Sequence, residues 1–129
     1  MRKAAALAFF CLLSPCSFGD DEGWLTRSGY YRISYRSELQ PIVINRIHSW
    51  IFHVETPDGT PVDGAEITIT GGMPLHNHGL PTAPRMTINI DNGDYRVEGM
   101  RFHMNGDWEL LVTIDADGRR DTVVIPLTI

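Results

Sequence analysis

From Tyr31 onward the chain is written in short runs of period two, each closed by turn chemistry, which leaves room for little besides an antiparallel β-sheet protein. Tyr31-Arg32-Ile33-Ser34-Tyr35 alternates, and Ile47 to Thr56 is a longer run rich in β-branched and aromatic side chains. The stretch PDGTPVDG then supplies two Asp-Gly steps before Glu66 to Thr70 (EITIT). Met86 to Ile90 (MTINI), Tyr95 to Phe102, Trp108 to Ile114 and Thr122 to Leu127 complete the series. Asp91-Asn92-Gly93-Asp94 and Asp117-Gly118 read as turns, and Asn105-Gly106, the strongest hairpin dipeptide in the chain, is expected to join the runs on either side of it. No segment shows a helical period, a repeat or low complexity. About seven strands within residues 20–129 predict an all-β chain, an immunoglobulin-like antiparallel β-sandwich.

The first residues read differently. Arg2 and Lys3 form a positive start, Ala4 to Leu13 are apolar, Pro15 breaks the run, and Ser17 and Gly19 stand at the −3 and −1 positions of a cleavage site. Residues 1–19 are therefore expected to be a signal peptide cleaved after Gly19, leaving residues 20–129 as one domain in the periplasm or outside the cell. The apolar run is too short for a membrane span, so no direct span is expected after cleavage. Lipid anchoring at Cys16 is the weaker alternative, since Pro15 sits where such signals want a small flexible residue. Both cysteines, Cys11 and Cys16, fall in this segment, so the mature domain has no thiol and no disulfide.

Without Arg2 and Lys3, 9 of the 11 basic residues remain against 16 acidic ones, a net charge of −7. No lysine follows Lys3, and the arginines are scattered. Nucleic acid is excluded as a natural partner on this ground, and an anionic membrane surface equally.

Chemistry concentrates in residues 71–84, GGMPLHNHGLPTAP. If the loop runs extended, His76 and His78 project to the same side and can meet one ion, while Pro74 and the stretch Gly79–Pro84 limit its flexing. Successive antiparallel strands place alternate connections at opposite ends. His48, Met73, His76, His78, His103 and Met104 then gather at one end, from three separate segments. Imidazole suits copper, zinc and nickel, and thioether sulfur selects copper, Cu(I) above all. The ligand set expected is His76, His78, Met73, His103 and Met104 on a copper ion, with zinc second. His48 shares a strand face with Trp50, Phe52 and Val54 and is expected to support the loop from beneath or to donate a hydrogen bond behind the ligands. His53 falls on the other face near the far end. Met86 and Met100 read as core, as do Trp50 and Trp108.

A bland reading stands beside this one. Histidines in small domains commonly only pack or hydrogen-bond, and Met73 or Met104 can be core fillers under a rigid, metal-free loop.

NRIHSWIFHVETPDGTPVDGAEITITGGMPLHNHGLPTAP and GDYRVEGMRFHMNGDWELLV together resemble the YtkA-like domain family, small exported β-sandwich proteins distantly similar to the FixH proteins associated with copper-oxidase assembly. The resemblance covers about residues 40–127. Its element M-P-x-H-x-H-G is complete as Met73, Pro74, His76, His78 and Gly79, and G-M-x-F-x-M as Gly99, Met100, Phe102 and Met104. In the family the position of Asn105 is often proline and that of His103 varies, which implies an auxiliary role for His103. The resemblance implies the sandwich fold and an association with copper.

Three functions are then expected in descending order. The first is an extracytoplasmic copper carrier or tolerance factor that hands its ion to a copper-accepting or membrane-bound partner protein. The second is a metal-free structural or protein-recognition module. The third is a zinc hydrolase using His76, His78 and His103, for which Asp107 and Glu109 are the nearest candidate bases; with no GxSxG element, no thiol nucleophile and no phosphate loop, a non-enzyme is preferred.

Overall fold

The computed structural model describes residues 22–129. The expected signal peptide, its cleavage point and both cysteines lie outside the described residues. Nine strands follow in order: β1 (Trp24–Leu25), β2 (Arg32–Ser37), β3 (His48–Glu55), β4 (Glu66–Met73), β5 (His78–Gly79), β6 (Arg85–Asp91), β7 (Asp94–Met100), β8 (Asp107–Ala116) and β9 (Arg119–Thr128). Among the described residues no helix is long and apolar enough to cross a membrane.

The strands form two antiparallel sheets, β1-β2-β3-β7-β6 and β5-β4-β8-β9. Setting aside the two-residue β1 and β5, this is the A-B-E-D and C-F-G order of an immunoglobulin-type sandwich. Period two is what builds it. Along β3, His48, Trp50, Phe52 and Val54 turn inward while Ser49, His53 and Glu55 sit on the outer face. Along β8, Trp108, Leu110, Val112, Ile114 and Ala116 are buried and their neighbours are not. The two inner faces close over a core in which Trp50, Phe52, Phe102 and Trp108 are the bulkiest members along with Tyr95. Trp50 and Trp108 are thus core as expected, as is Met100, and Met86 packs partly buried against the same cluster.

Two connections follow their local turn chemistry. Asp117 (φ 51°) and Gly118 (φ 70°) both occupy the left-handed region between β8 and β9, the two-residue turn that Asp-Gly favours. Asp91, Asn92 and Gly93 do likewise between β6 and β7. Asn105-Gly106, in contrast, makes no hairpin. It lies in the crossover 101–106 from β7 in one sheet to β8 in the other. Gly106 has φ 130° rather than the turn value, and its backbone pairs with Ile129 in both directions at 2.9 and 3.0 Å. The apolar faces of β7 and β8 must each meet the core from a different sheet, and that requirement outweighs a favourable dipeptide.

At the end away from the candidate loop, the Tyr95 hydroxyl donates to the Val62 carbonyl (2.5 Å) and accepts from the Ala65 N–H (2.9 Å), pinning the β3–β4 connection. Nearby stands a charge the sequence does not advertise. Asp121 on β9 is only 4% exposed, and its carboxylate accepts from the Thr26 hydroxyl (2.7 Å) and from the backbone N–H groups of Ser28, Tyr30 and Thr122. Burial by itself would raise its pKa. The four donors outweigh burial and hold it at about 2.

Candidate metal centre

The all-antiparallel ladder places the start of β3, the end of β4, the end of β7 and the start of β8 at one end of the sandwich. Three segments carrying the expected residues therefore meet there: His48 at the start of β3, residues 73–79, and the crossover 101–106.

Residues 74–77 are not extended. Met73 pairs with His78, so β4 and β5 form a hairpin closed by Pro74-Leu75-His76-Asn77. The His76 N–H bonds to the Met73 carbonyl (3.0 Å), and Asn77 sits at φ 52°. His76 is in the turn and His78 in the strand after it, which corrects the expectation of an extended pair. The rings nonetheless come face to face, stacked at 18° with centroids 6.3 Å apart. A left-handed residue between them reverses the chain, and Asn is the side chain that tolerates that conformation. Asn77→Ala is therefore expected to lower stability by about 1 kcal/mol and Asn77→Gly to leave it nearly unchanged, measured by urea unfolding.

Two glycines let this hairpin lie flat. A Cβ on Gly72 would run into the His78 carbonyl oxygen, and one on Gly71 would meet the Glu109 carbonyl at 2.6 Å. The Gly71-Gly72 pair thus admits β5 and β8 on either side of β4 at close range.

His103 comes from the crossover. Its ring meets that of His78 edge-on, centroids 5.5 Å apart, and meets Trp108 edge-on at 5.4 Å. Trp108 clamps the crossover by donating its Nε1–H to the Met104 carbonyl (3.1 Å). The three imidazoles thus form a row, His76 to His78 to His103, with Trp108 as its inner wall. A ring bound through nitrogen at about 2.0–2.1 Å has its centroid roughly 3.2 Å from the ion, so two rings on one tetrahedral ion lie roughly 5 Å apart. His78 and His103 stand near that spacing, and His76 about an ångström beyond it. As the rings stand, no group of three or more His, Cys, Asp or Glu among the described residues is arranged to hold an ion. Closure needs the exposed His76 to move, and it sits on a turn.

The thioethers occupy a different level. Met73 is 1% exposed and packs in the core, its methyl group beneath Gly106. Met104 is partly buried against the same core. The Met73 sulfur does not share the surface with His76.

His48 is buried beside Phe102 and Trp50, at 6.1 and 6.3 Å between centroids. A carbonyl only accepts, so the 2.9 Å contact between His48 Nδ1 and the Arg46 oxygen fixes the proton on Nδ1. Nε2 of His48 and Nδ1 of His103 are buried without a hydrogen-bond partner among the described residues. An imidazole held through Nδ1 with Nε2 unengaged is how proteins orient a histidine toward an ion or an acceptor.

Beside the row a shallow groove of about 550 Å³ runs over the second sheet, lined by Met73, Asn77, His78, Glu109 and Arg27 among others. Asp107 is occupied by the Thr128 hydroxyl at 2.7 Å. His53 stands apart on the outer face of the first sheet, between Asp94 (2.7 Å) and Glu55 (3.5 Å). Sequence reasoning missed Trp108 as the inner wall, for which no local signal exists, and Asn77 as the reversal point, for which the run His76-Asn77-His78-Gly79 was a legible turn signal.

The YtkA-like family matches residues 31–113, from just before β2 into β8, a span that includes every residue of the row, both methionines and His48. No curated protein matches the chain. Among solved structures, the crystal structure of a DUF4426 family protein from Pseudomonas aeruginosa PAO1 is similar, with a TM-score of 0.58 and 15% identity, over 86% of this chain and 97% of that one. At that identity the likeness is one of fold.

Proposed function

This chain belongs to the YtkA-like family, and from that premise we propose that it handles copper outside the cytoplasm, as a carrier or tolerance factor. His76 and His78 hold the ion, and His103 supplies a third nitrogen, its Nδ1 having no hydrogen-bond partner among the described residues. Met104, only partly buried on the crossover, is the thioether placed to complete the shell, while Met73 stays in the core beneath; thioether sulfur is what favours copper, Cu(I) in particular, over zinc. His48 acts behind them as a fixed support. The observation that carries this reading is the row of three imidazoles spaced at 6.3 and 5.5 Å on two different segments. The N-terminal pattern of charge, apolar run and small residues supports export, and an exposed turn at the tip of the domain suits handover to a copper-accepting or membrane-bound protein.

The test is titration with Cu(I), Cu(II) and Zn(II) of the wild-type protein and of His76→Ala/His78→Ala. Altering residues behind metal ligands alone costs about 10–100-fold in affinity, so removing two ligands should cost at least on the order of a hundredfold. Cu(II) bound at His103 should also quench Trp108 fluorescence, given the 5.4 Å contact. Unchanged affinity in the double variant would overturn the assignment.

The metal-free recognition module has its own supporting observation: backbone hydrogen bonds already hold the turn, and among the described residues no group of three or more His, Cys, Asp or Glu is preassembled. Failure of all three ions to bind a folded protein would favour it.

A further inference from the structure

All three tryptophans of the chain lie on one line of neighbouring rings. On the first sheet the strand register sets this line. Trp24 stands opposite Ile33, two residues before Tyr35, and Tyr35 stands opposite Phe52, two residues after Trp50. Diagonal neighbours at that offset lie within reach of large side chains, and here the rings stack nearly parallel. Trp24 and Tyr35 are 5.5 Å apart between centroids at 12°, and Tyr35 and Trp50 are 4.3 Å apart at 12°. Phe102 then bridges the two sheets, 5.9 Å from Trp50 and 5.2 Å from Trp108. Trp108 meets His103, so the line runs unbroken into the imidazole row. Its other end is far from that row. Ile33, the partner of Trp24, pairs with Val54, six residues along β3 from His48, about 20 Å at the rise of a strand.

Packing asks only for apolar bulk, which Phe and Leu supply. Indole and phenol rings add something else, since they give up an electron more readily than phenyl or aliphatic side chains. We propose that this line carries an oxidising equivalent away from the metal end and delivers it to Trp24. The proposal rests on the copper reading for the origin of that equivalent, with hydrogen peroxide as the oxidant. Peroxide takes one electron from Cu(I), leaving Cu(II), and a second from the line, and with two protons it becomes two waters. The vacancy passes from Trp108 across Phe102 to Trp50, then through Tyr35. Trp24 ends as the neutral indolyl radical, its Nε1 proton released to solvent. The inner indoles are poor resting places. Trp50 is fully buried, and its Nε1–H has no acceptor among the described residues. Trp108 donates to a backbone carbonyl, which is too weak a base to take the proton. A cation in such surroundings is costly, whereas Trp24 is only half-buried. Oxidation is thereby drawn away from Met104, whose thioether would otherwise become a sulfoxide.

The test is run on the metal-free full chain, so its failure and that of the copper reading are separate results. Cys11 and Cys16 are replaced by serine, and Leu75→Cys carries a ruthenium photo-oxidant. Leu75 is 86% exposed and lines the same cavity as Trp108, which puts the label at the metal end. Flash oxidation with a cobalt(III) quencher in air, followed by peptide mass spectrometry, locates the damage. The expected result is added oxygen at Trp24 that is lost in Tyr35→Leu, with a matching rise at Trp50 and Trp108. Trp24→Phe, at the edge of its sheet, should give the same rise. Trp24 left unoxidised in the labelled protein, oxidised equally in Tyr35→Leu, or replaced without effect on Trp50 and Trp108 would overturn the inference.

Discussion

Asp121→Ala is expected to lower folding stability by about 3–5 kcal/mol, the cost of leaving buried partners of a charged group unpaired. The carboxylate gathers the Thr26 hydroxyl and three backbone N–H groups, from Ser28, Tyr30 and Thr122. Without it these donors remain in a site that is 4% exposed, and the segment after β1 loses its side-chain anchor on β9. A domain of this size has roughly 5–15 kcal/mol in all, so the variant should unfold at a much lower urea concentration. Asp121→Asn keeps the shape and one acceptor, and should fall between the two.

The same residue sets an acid limit. Its folded pKa is depressed from 3.8 to about 2, so its contribution is present above the unfolded value and is lost as pH falls through the folded one. A shift near two units corresponds to about 2 kcal/mol, removed progressively from about pH 4 down to about pH 2. In Asp121→Asn that slope should be missing from the pH dependence of unfolding.

Trp108→Ala is the second large effect, and it reaches the candidate site. Truncating a buried tryptophan costs about 3–5 kcal/mol through lost transfer energy and the cavity left behind. Here the ring also packs edge-on to Phe102 (5.2 Å) and to His103 (5.4 Å), and its N–H holds the Met104 carbonyl. The crossover should loosen along with the core, weakening copper binding in molecules that remain folded. Trp108→Phe narrows the comparison, since it keeps an aromatic ring in the core while removing the hydrogen bond and the remainder of the indole. Urea unfolding with and without Cu(I) reads both, and equal losses in the two conditions would detach Trp108 from the site.

The seven longer strands were legible because half-buried sheet forces alternation, and alternation survives in the sequence. β1 and β5 were not, since two residues carry no period. Trp24 and His78 join their sheets by pairing with Ile33 and Met73 respectively. The Asn105-Gly106 hairpin failed because turn propensity is local, whereas the sheet that each flanking strand joins is decided by the core. At the site, the gathering of residues at one end followed from strand direction alone and needed no side-chain detail. The extended reading of His76 and His78 did not survive, because Asn77 turns the chain between them. Asp121 was invisible for a different reason: one aspartate among many reveals nothing of the donors the fold will bring to it.

The β8–β9 hairpin bears on how the chain finds this structure. Ten residue pairs zip outward from a two-residue loop at Asp117-Gly118. Closing so short a loop sacrifices little chain entropy, whereas β3 and β7 pair residues about forty positions apart, such as His53 with Asp94. The pairing also brings Trp108, Leu110, Val112 and Ile114 onto one face with Val123 and Ile125, a ready apolar platform. Folding that condenses on this hairpin would recruit β4 next, then close the first sheet over it. The metal end, built from β4, β5 and the crossover, would assemble only once the two sheets have met.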